Sequence, residues 1–149
     1  MQVNVPSGKS VTFKEAREKS HKVASALTKM GFKKGDILFF VTNEYVDLYL
    51  VRLAVWMLGG AVRGTSVFET QGMKIIFNCS SLKKKIESYM LQMREVDAKF
   101  VCVDKDTDAN VRNAAQALGS HDFIFLSIGD SPVEGATHLS ELVNDDGSG

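Results

Sequence analysis

The sequence predicts an α/β fold, a mostly parallel sheet with flanking helices. Three observations carry that expectation. Short unbroken apolar runs such as Ile37–Val41 (ILFFV) have strand length and no polar face, as expected for strands covered on both sides. Longer segments with apolar residues at helical spacing lie between them. The joints are short, and strand and helix alternate, which is the pattern of a parallel sheet with crossover helices.

The elements follow in order. Thr12-Phe13-Lys14-Glu15 fits a capping box, in which the Thr12 hydroxyl accepts from the third helical N–H and Glu15 reaches back to the cap. Behind it Ala16, Val23, Ala24, Leu27 and Met30 share one helical face, and Gly31 closes the helix. Lys33-Lys34-Gly35-Asp36 is a polar turn before the strand Ile37–Val41. Asn43 is expected to cap the next helix and Glu44 to sit favourably at its positive end. That helix, 44–58, is apolar almost all round, which predicts burial; Gly59-Gly60 ends it. Further strands are expected over 61–68, 99–103 and 123–128, helices over 86–96 and 107–118, and a short helical turn over 137–142. Ile86, Tyr89, Met90, Met93 and Val96 mark the inward face of the 86–96 helix. Residues 144–149 read as a linker.

Composition narrows the function classes. The 149 residues are 44% apolar and 24% charged, a soluble globular balance with enough chain for one core. Basic and acidic residues number 18 each, which argues against a general nucleic-acid binder. The balance is uneven: 72–85 holds Lys74, Lys83, Lys84 and Lys85 with no acid, leaving 14 basic against 18 acidic residues elsewhere. Two cysteines, Cys79 and Cys102, form no disulfide framework and point to a reducing, intracellular compartment. The first ten residues hold no apolar run of the signal-peptide kind. The longest apolar stretch, LYLVRLAVWMLGGAV, is broken by Arg52 and the glycine pair and falls short of the ~20 apolar residues a spanning helix takes.

Each residue with chemical potential has a plainer reading. Gly8-Lys9-Ser10 matches the tail of a P-loop, but Val3 stands where the first glycine belongs and no strand precedes it. His21, His121 and His138 have no ligand spacing among them. Cys102 falls in a core strand, and Cys79 has no base beside it in sequence. Phe39, Phe40, Tyr45, Tyr49 and Trp56 could line an acyl pocket, although their spacing fits core packing. No catalytic, cofactor-binding or metal-ligating residue is therefore assigned. The stretch 72–85 breaks the strand–helix rhythm and reads as an insertion; without it, SVFETQ would run directly into IESYMLQMREVDAKFVCVD. A solvated loop or an accidental segment, such as retained non-coding sequence, outweighs contact with a protein partner or an anionic membrane surface through its four lysines.

The ordered series Thr12, Phe13, Glu15, Gly31, Gly35, Asp36, Asn43, Gly59 and Gly60 resembles the opening of the adenylate-forming acyl-CoA synthetases. This is the AMP-dependent synthetase/ligase family, which includes the 4-coumarate–CoA ligases and beetle luciferases. IESYMLQMREVDAKFVCVD is similar to a later helix and strand of that family, and HLSELV to the segment before its phosphate-binding loop. The resemblance covers nearly all of the chain except 72–85. It implies that 1–143 is a partial N-terminal subdomain of the ligase fold and that 144–149 is a truncated linker. It also implies a longer parent that activates a fatty or aryl carboxylic acid with ATP and Mg²⁺ to an acyl-adenylate, then transfers the acyl group to CoA. A cytoplasmic or peroxisomal location would suit that chemistry. The chain departs from the family in lacking the Thr-rich, lysine-ended phosphate loop; IGDSPVEGA holds two glycines and a serine without it. The fragment alone is therefore expected to be inactive and to hold no cofactor. Two alternatives stay open: a non-catalytic interaction or dimerisation module that binds full-length relatives, and a small independent α/β binding domain.

Overall fold

A computed structural model describes residues 2–3, 8–65, 82–119 and 122–149. The chain opens with a two-stranded antiparallel ladder, β1 (Gln2–Val3) against β2 (Ser10–Val11), so a short strand does precede Gly8-Lys9-Ser10, where none was expected. Helix α1 (Phe13–Lys29) follows, then β3 (Ile37–Val41), α2 (Tyr45–Met57) and β4 (Ala61–Thr65). Next come α3 (Leu82–Glu95), β5 (Phe100–Val103), α4 (Asp108–Ala117), β6 (Ile124–Ser127), β7 (Thr137–His138) and α5 (Leu139–Leu142). Strands β3 to β7 form one five-stranded sheet in the order β4-β3-β5-β6-β7. Every pairing in it is parallel, with Leu38 opposite both Val62 and Phe100.

The parallel sheet explains the unbroken apolar runs. Side chains alternate between faces. Leu38, Phe100, Cys102 and Leu126 join α1 and α2 in one core, and Phe39, Val41, Val101 and Val103 join α3 and α4 in another. All four residues of β5 are buried. Phe32 packs against Phe100 with ring centroids 4.9 Å apart and planes tilted by 60°, tying the turn after α1 to the sheet.

Helix α1 forms as its sequence predicts. The Thr12 hydroxyl accepts from Glu15 N–H at 3.2 Å, and a Glu15 carboxylate oxygen accepts from Thr12 N–H at 2.9 Å. At the other end Gly31 takes a positive φ of 92°, Phe32 N–H donates to Leu27 O and Gly31 N–H to Thr28 O, so the last carbonyls are satisfied. Gly60 serves differently: a Cβ there would come within 2.6 Å of the Phe32 ring and 2.9 Å of Asp36 O. Only glycine lets the start of β4 pass that close.

Helix α2 departs from expectation. Asn43 does not cap it: Glu44 occupies the cap position with no side-chain bond, and buried Asn43 Oδ1 has no partner. Asn43 N–H instead donates to Asp104, so this residue faces the sheet end and not the helix. Val46, Leu48, Leu50, Val51, Ala54 and Val55 are buried as predicted, but Tyr45, Trp56 and Met57 are exposed.

Helix α3 starts at Leu82, four residues before the expected Ile86, so 82–85 of the expected insertion are helical; 72–81 lie outside the described residues. Its inward residues are those predicted, with Tyr89 and Met93 buried. Beyond Thr65 the expected course of β4 also lies outside the described residues. Residues 144–149, expected as a linker, lie against α1: Asp145 accepts from the Ser25 hydroxyl, Lys29 meets Asp145 and Asp146, and Gly149 N–H donates to Ser25 Oγ.

Candidate functional site

In open α/β sheets, ligands bind beyond the carboxyl ends of the strands, where the strand order reverses. Here that point lies between β3, which leads by α2 to β4 on one side, and β5, from which the chain continues to β6 and β7 on the other. Three segments meet there: 42–44 after β3, 104–107 after β5 and 128–131 after β6. They enclose a cleft of about 170 Å³, below the ~300 Å³ at which pockets for drug-sized ligands begin.

Asp104 organises the cleft floor. One carboxylate oxygen accepts from the Thr42 hydroxyl at 2.7 Å and from Asn43 N–H at 3.1 Å. The other accepts from the N–H groups of Asp106 and Thr107, both at 3.0 Å, and from the Thr107 hydroxyl. Thr107 Oγ1 also lies 2.7 Å from Val41 O. This buried carboxylate is satisfied on both oxygens. It clamps the end of β3 to the start of α4 and leaves no lone pair directed at a ligand. The Asp-x-x-Thr spacing of Asp104-Lys105-Asp106-Thr107 is the sequence signal for this turn.

Lys9 closes the rim. Its Nζ lies 2.9 Å from Asp130, 3.0 Å from Asp47 and 3.8 Å from Glu44. Burial opposes its charge, but hydrogen bonds to Asp130 and Asp47 outweigh that and raise its pKa. Glu44 is pushed up, first by burial and then by the carboxylates of Asp47, Asp130 and Asp104, against the pull of Lys9. Asp47 also accepts from Gly129 N–H at 3.0 Å. The lysine of the GKS tripeptide thus fastens β2 to α2 and to the loop after β6.

His138 is a structural residue. Its Nδ1 accepts from Ser140 N–H at 3.2 Å as the cap of α5, and Nε2 lies 3.1 Å from Gly129 O. A neutral ring protonated on Nε2 satisfies both contacts. This cap was not foreseen in the sequence, because histidine is an unusual cap residue.

The other residues weighed in the sequence fall as follows. His21 is exposed on α1. Cys102 is fully buried in β5, and burial pushes its thiol well above the ordinary range, away from nucleophilic use. Phe39 is buried, and Phe40 and Tyr49 pack against the core. Tyr45 and Trp56 are exposed on α2. Lys74, Cys79 and His121 lie outside the described residues. Lys83 is exposed on the first turn of α3, Lys85 half-buried. Two adjoining grooves of about 380 and 370 Å³, around Asp97, Ala98 and Phe123, are larger than the cleft but lie at the amino ends of β5 and β6, the wrong end for this sheet type.

The cleft does not fit a triphosphate. Glu44, Asp104, Asp106 and Asp130 line it with Lys105, and the rim lysine Lys9 is already engaged by Asp130 and Asp47, whereas a phosphate cradle needs inward N–H groups and positive charge. Among the described residues no group of three or more acidic, histidine or cysteine side chains is arranged to hold a metal ion. No helix among them is long and apolar enough to cross a membrane.

Comparison with known proteins agrees with the resemblance read in the sequence. No family model matches the chain. A 4-coumarate–CoA ligase-like protein of Arabidopsis thaliana is 23% identical over 141 residues, 95% of this chain and 22% of its own. The fold matches a luciferase-like enzyme from the nonluminescent mealworm Zophobas morio with a TM-score of 0.76, at 15% identity over 95% of this chain and 30% of that one. An anthranilate–CoA ligase solved with anthranoyl-AMP matches with a TM-score of 0.69, at 18% identity over 91% of this chain and 23% of that one. The chain therefore corresponds to a portion of the adenylate-forming ligase fold. It spans about a fifth of the curated relative's length and under a third of the mealworm enzyme's.

Proposed function

We propose that this polypeptide is the N-terminal supporting subdomain of an acyl-CoA-synthetase-like ligase. The completed enzyme would activate a fatty or aryl carboxylic acid with ATP and Mg²⁺ to an acyl-adenylate and pass the acyl group to CoA. One observation carries the reading: 95% of the chain matches less than a third of a luciferase-like enzyme in fold, and it matches a coumarate–CoA-ligase-like sequence over the same extent. The acidic cleft supports the second half of the proposal, that nucleotide handling belongs to other polypeptide. Phosphoryl chemistry is catalysed by positioned donors and cations, and four carboxylates at the sheet's binding end oppose it.

The experiment has two arms. This chain alone is assayed for acid-dependent ATP–pyrophosphate exchange; no turnover above a boiled control is expected. A hybrid is then made in which the chain replaces the matching segment of the Arabidopsis relative. Acid-dependent exchange by a folded hybrid is expected, and a folded but inert hybrid overturns the ligase reading.

A further inference from the structure

We propose that the β1–β2 ladder is a strap that opens independently of the five-stranded sheet, and that Lys9 is the latch holding it shut at one rim of the acidic cleft. Strands β1 and β2 form a sheet of their own, paired at two positions, Gln2 with Val11 and Val3 with Ser10. No strand pairing joins them to the five-stranded sheet. Of the two residues of β2, Val11 is buried in the core with α1 and α2, whereas Ser10 is exposed. A segment with so little buried apolar surface belongs to the low-stability end of a fold, where local opening runs ahead of global unfolding.

Lys9 adds a hold of a different kind. Its ammonium reaches Asp47 in the first turn of α2, Glu44 at the cap of that helix and Asp130 in the loop after β6. The pair with Asp47 is the strong one. The Asp47 side chain is 15% exposed and is fixed from behind by Gly129 N–H, and that of Lys9 is 26% exposed, so the contact is screened less than a surface pair. Asp130 is 82% exposed and adds little. Three carboxylates thus face one ammonium, with Asp104 acting on Glu44 from behind. When the ammonium leaves, Glu44, Asp47 and Asp130 face one another without it, so loss of charge on Lys9 or on Asp47 releases the strap. Opening uncovers one side of the cleft at the carboxyl end of the sheet, where α/β folds bind ligands. The latch therefore sets how open that end is, and it does not depend on the ligase reading.

Trypsin reads the latch directly, because it cuts after Lys9 only when that side chain has left its carboxylates and the backbone around it has opened. Release of the peptide 1–9 from the whole chain is followed by mass spectrometry at neutral pH. The first cut after Lys22, exposed in the middle of α1, measures wider unfolding. Cutting after Lys9 is expected to be slow in the wild type. In Asp47→Asn it should quicken several-fold while cutting after Lys22 stays the same, since the amide keeps an acceptor for Gly129 N–H and loses only the charge. Asp130→Asn should quicken it less. An unchanged rate after Lys9 in Asp47→Asn overturns the latch. Rates that rise together after Lys9 and Lys22 overturn the strap, since the ladder then opens only with the rest of the chain. Lys9→Met tests the same claim without touching α2. Hydrogen exchange of the amides at 8–11 should quicken several-fold, with those of β3 unchanged. Wild-type protection at 8–11, or an equal loss of protection in β3, overturns the proposal.

Discussion

Helices α1 and α2 lie side by side on the same face of the sheet, yet they are finished in opposite ways. Helix α1 is capped by a reciprocal Thr12–Glu15 box and turns buried Val23, Ala24 and Leu27 inward, with Arg17, Glu18, Lys19 and Lys22 outward. Helix α2 has no side-chain cap and carries Tyr45, Trp56 and Met57 where α1 carries charge. Their inner faces do the same work in one core. The difference lies on the outside: α1 shows charge to water and to the segment 144–149, whereas α2 leaves large apolar residues exposed. That contrast separates the inner faces, which hold this chain together, from the apolar residues it leaves exposed.

The largest effect should come from the shared inner face. Leu27 on α1 and Leu50 on α2 are almost wholly buried in the same cluster. Truncating either to alanine should cost about 2–5 kcal/mol, by lost burial and the cavity left behind. Trp56→Ala, although it removes a larger side chain, should cost less, about 1 kcal/mol, since the ring is half exposed and its main specific contact is the Arg52 guanidinium 5.1 Å from its centroid. Urea unfolding of the three variants measures all of this. A Trp56 cost comparable to Leu27 would erase the distinction between the two sides of α2.

A smaller effect separates the helix starts. Thr12→Ala should cost about 1 kcal/mol, because the Glu15 N–H loses its acceptor and the reciprocal bond loses its frame. Asn43→Ala should cost far less than a cap, since Asn43 Oδ1 bonds to nothing and its N–H contact with Asp104 is made by backbone. Thermal melts of the two variants side by side decide it. An Asn43 loss equal to the Thr12 loss would restore the cap that the sequence suggested.

The same pair shows where sequence was a sufficient guide. The capping box was legible because Thr12 and Glu15 interact only with each other and the local backbone, so four residues of text contain all the physics. Strand identities in β3, β5 and β6 were legible because burial on both faces requires unbroken apolar runs. Asn43 misled because its environment is set by Asp104, 61 residues away across the switch point. The Lys9 hub was illegible for the same reason: its partners come from α2 and from the loop after β6. The exposed stripe of α2 was legible only as hydrophobicity. An apolar helix text does not say which of its residues the neighbouring elements reach, and Tyr45, Trp56 and Met57 are the ones they do not. The resemblance to a ligase family came from an ordered series of turn and cap residues, of which Gly31, Gly35 and Gly59 hold positive φ and Gly60 makes a close approach, so they fix backbone geometry.

The smallest effect is a difference in pH response between the two helix starts. Glu15 is lowered because it accepts from the Thr12 backbone and hydroxyl. Its contribution is present above the ordinary glutamate value of 4.5 and is lost as pH falls through its lowered value. Glu44 has the opposite sign. Burial raises its pKa, so the folded chain holds that proton more tightly than the unfolded one, and stability falls as pH rises from 4.5 to the raised value. Glu44→Gln removes a charge that the site disfavours, so at neutral pH the variant should be slightly more stable than the wild type. That gain should shrink as acid protonates Glu44 and vanish below the ordinary value. Glu15→Ala should be less stable at neutral pH, with its deficit closing only in stronger acid. Urea midpoints for both variants and the wild type, taken from about pH 3 to pH 7, give the two difference curves. Curves of the same sign would mean that Lys9, at 3.8 Å from Glu44, outweighs the burial of that carboxylate, and the start of α2 would then be held by attraction as the start of α1 is.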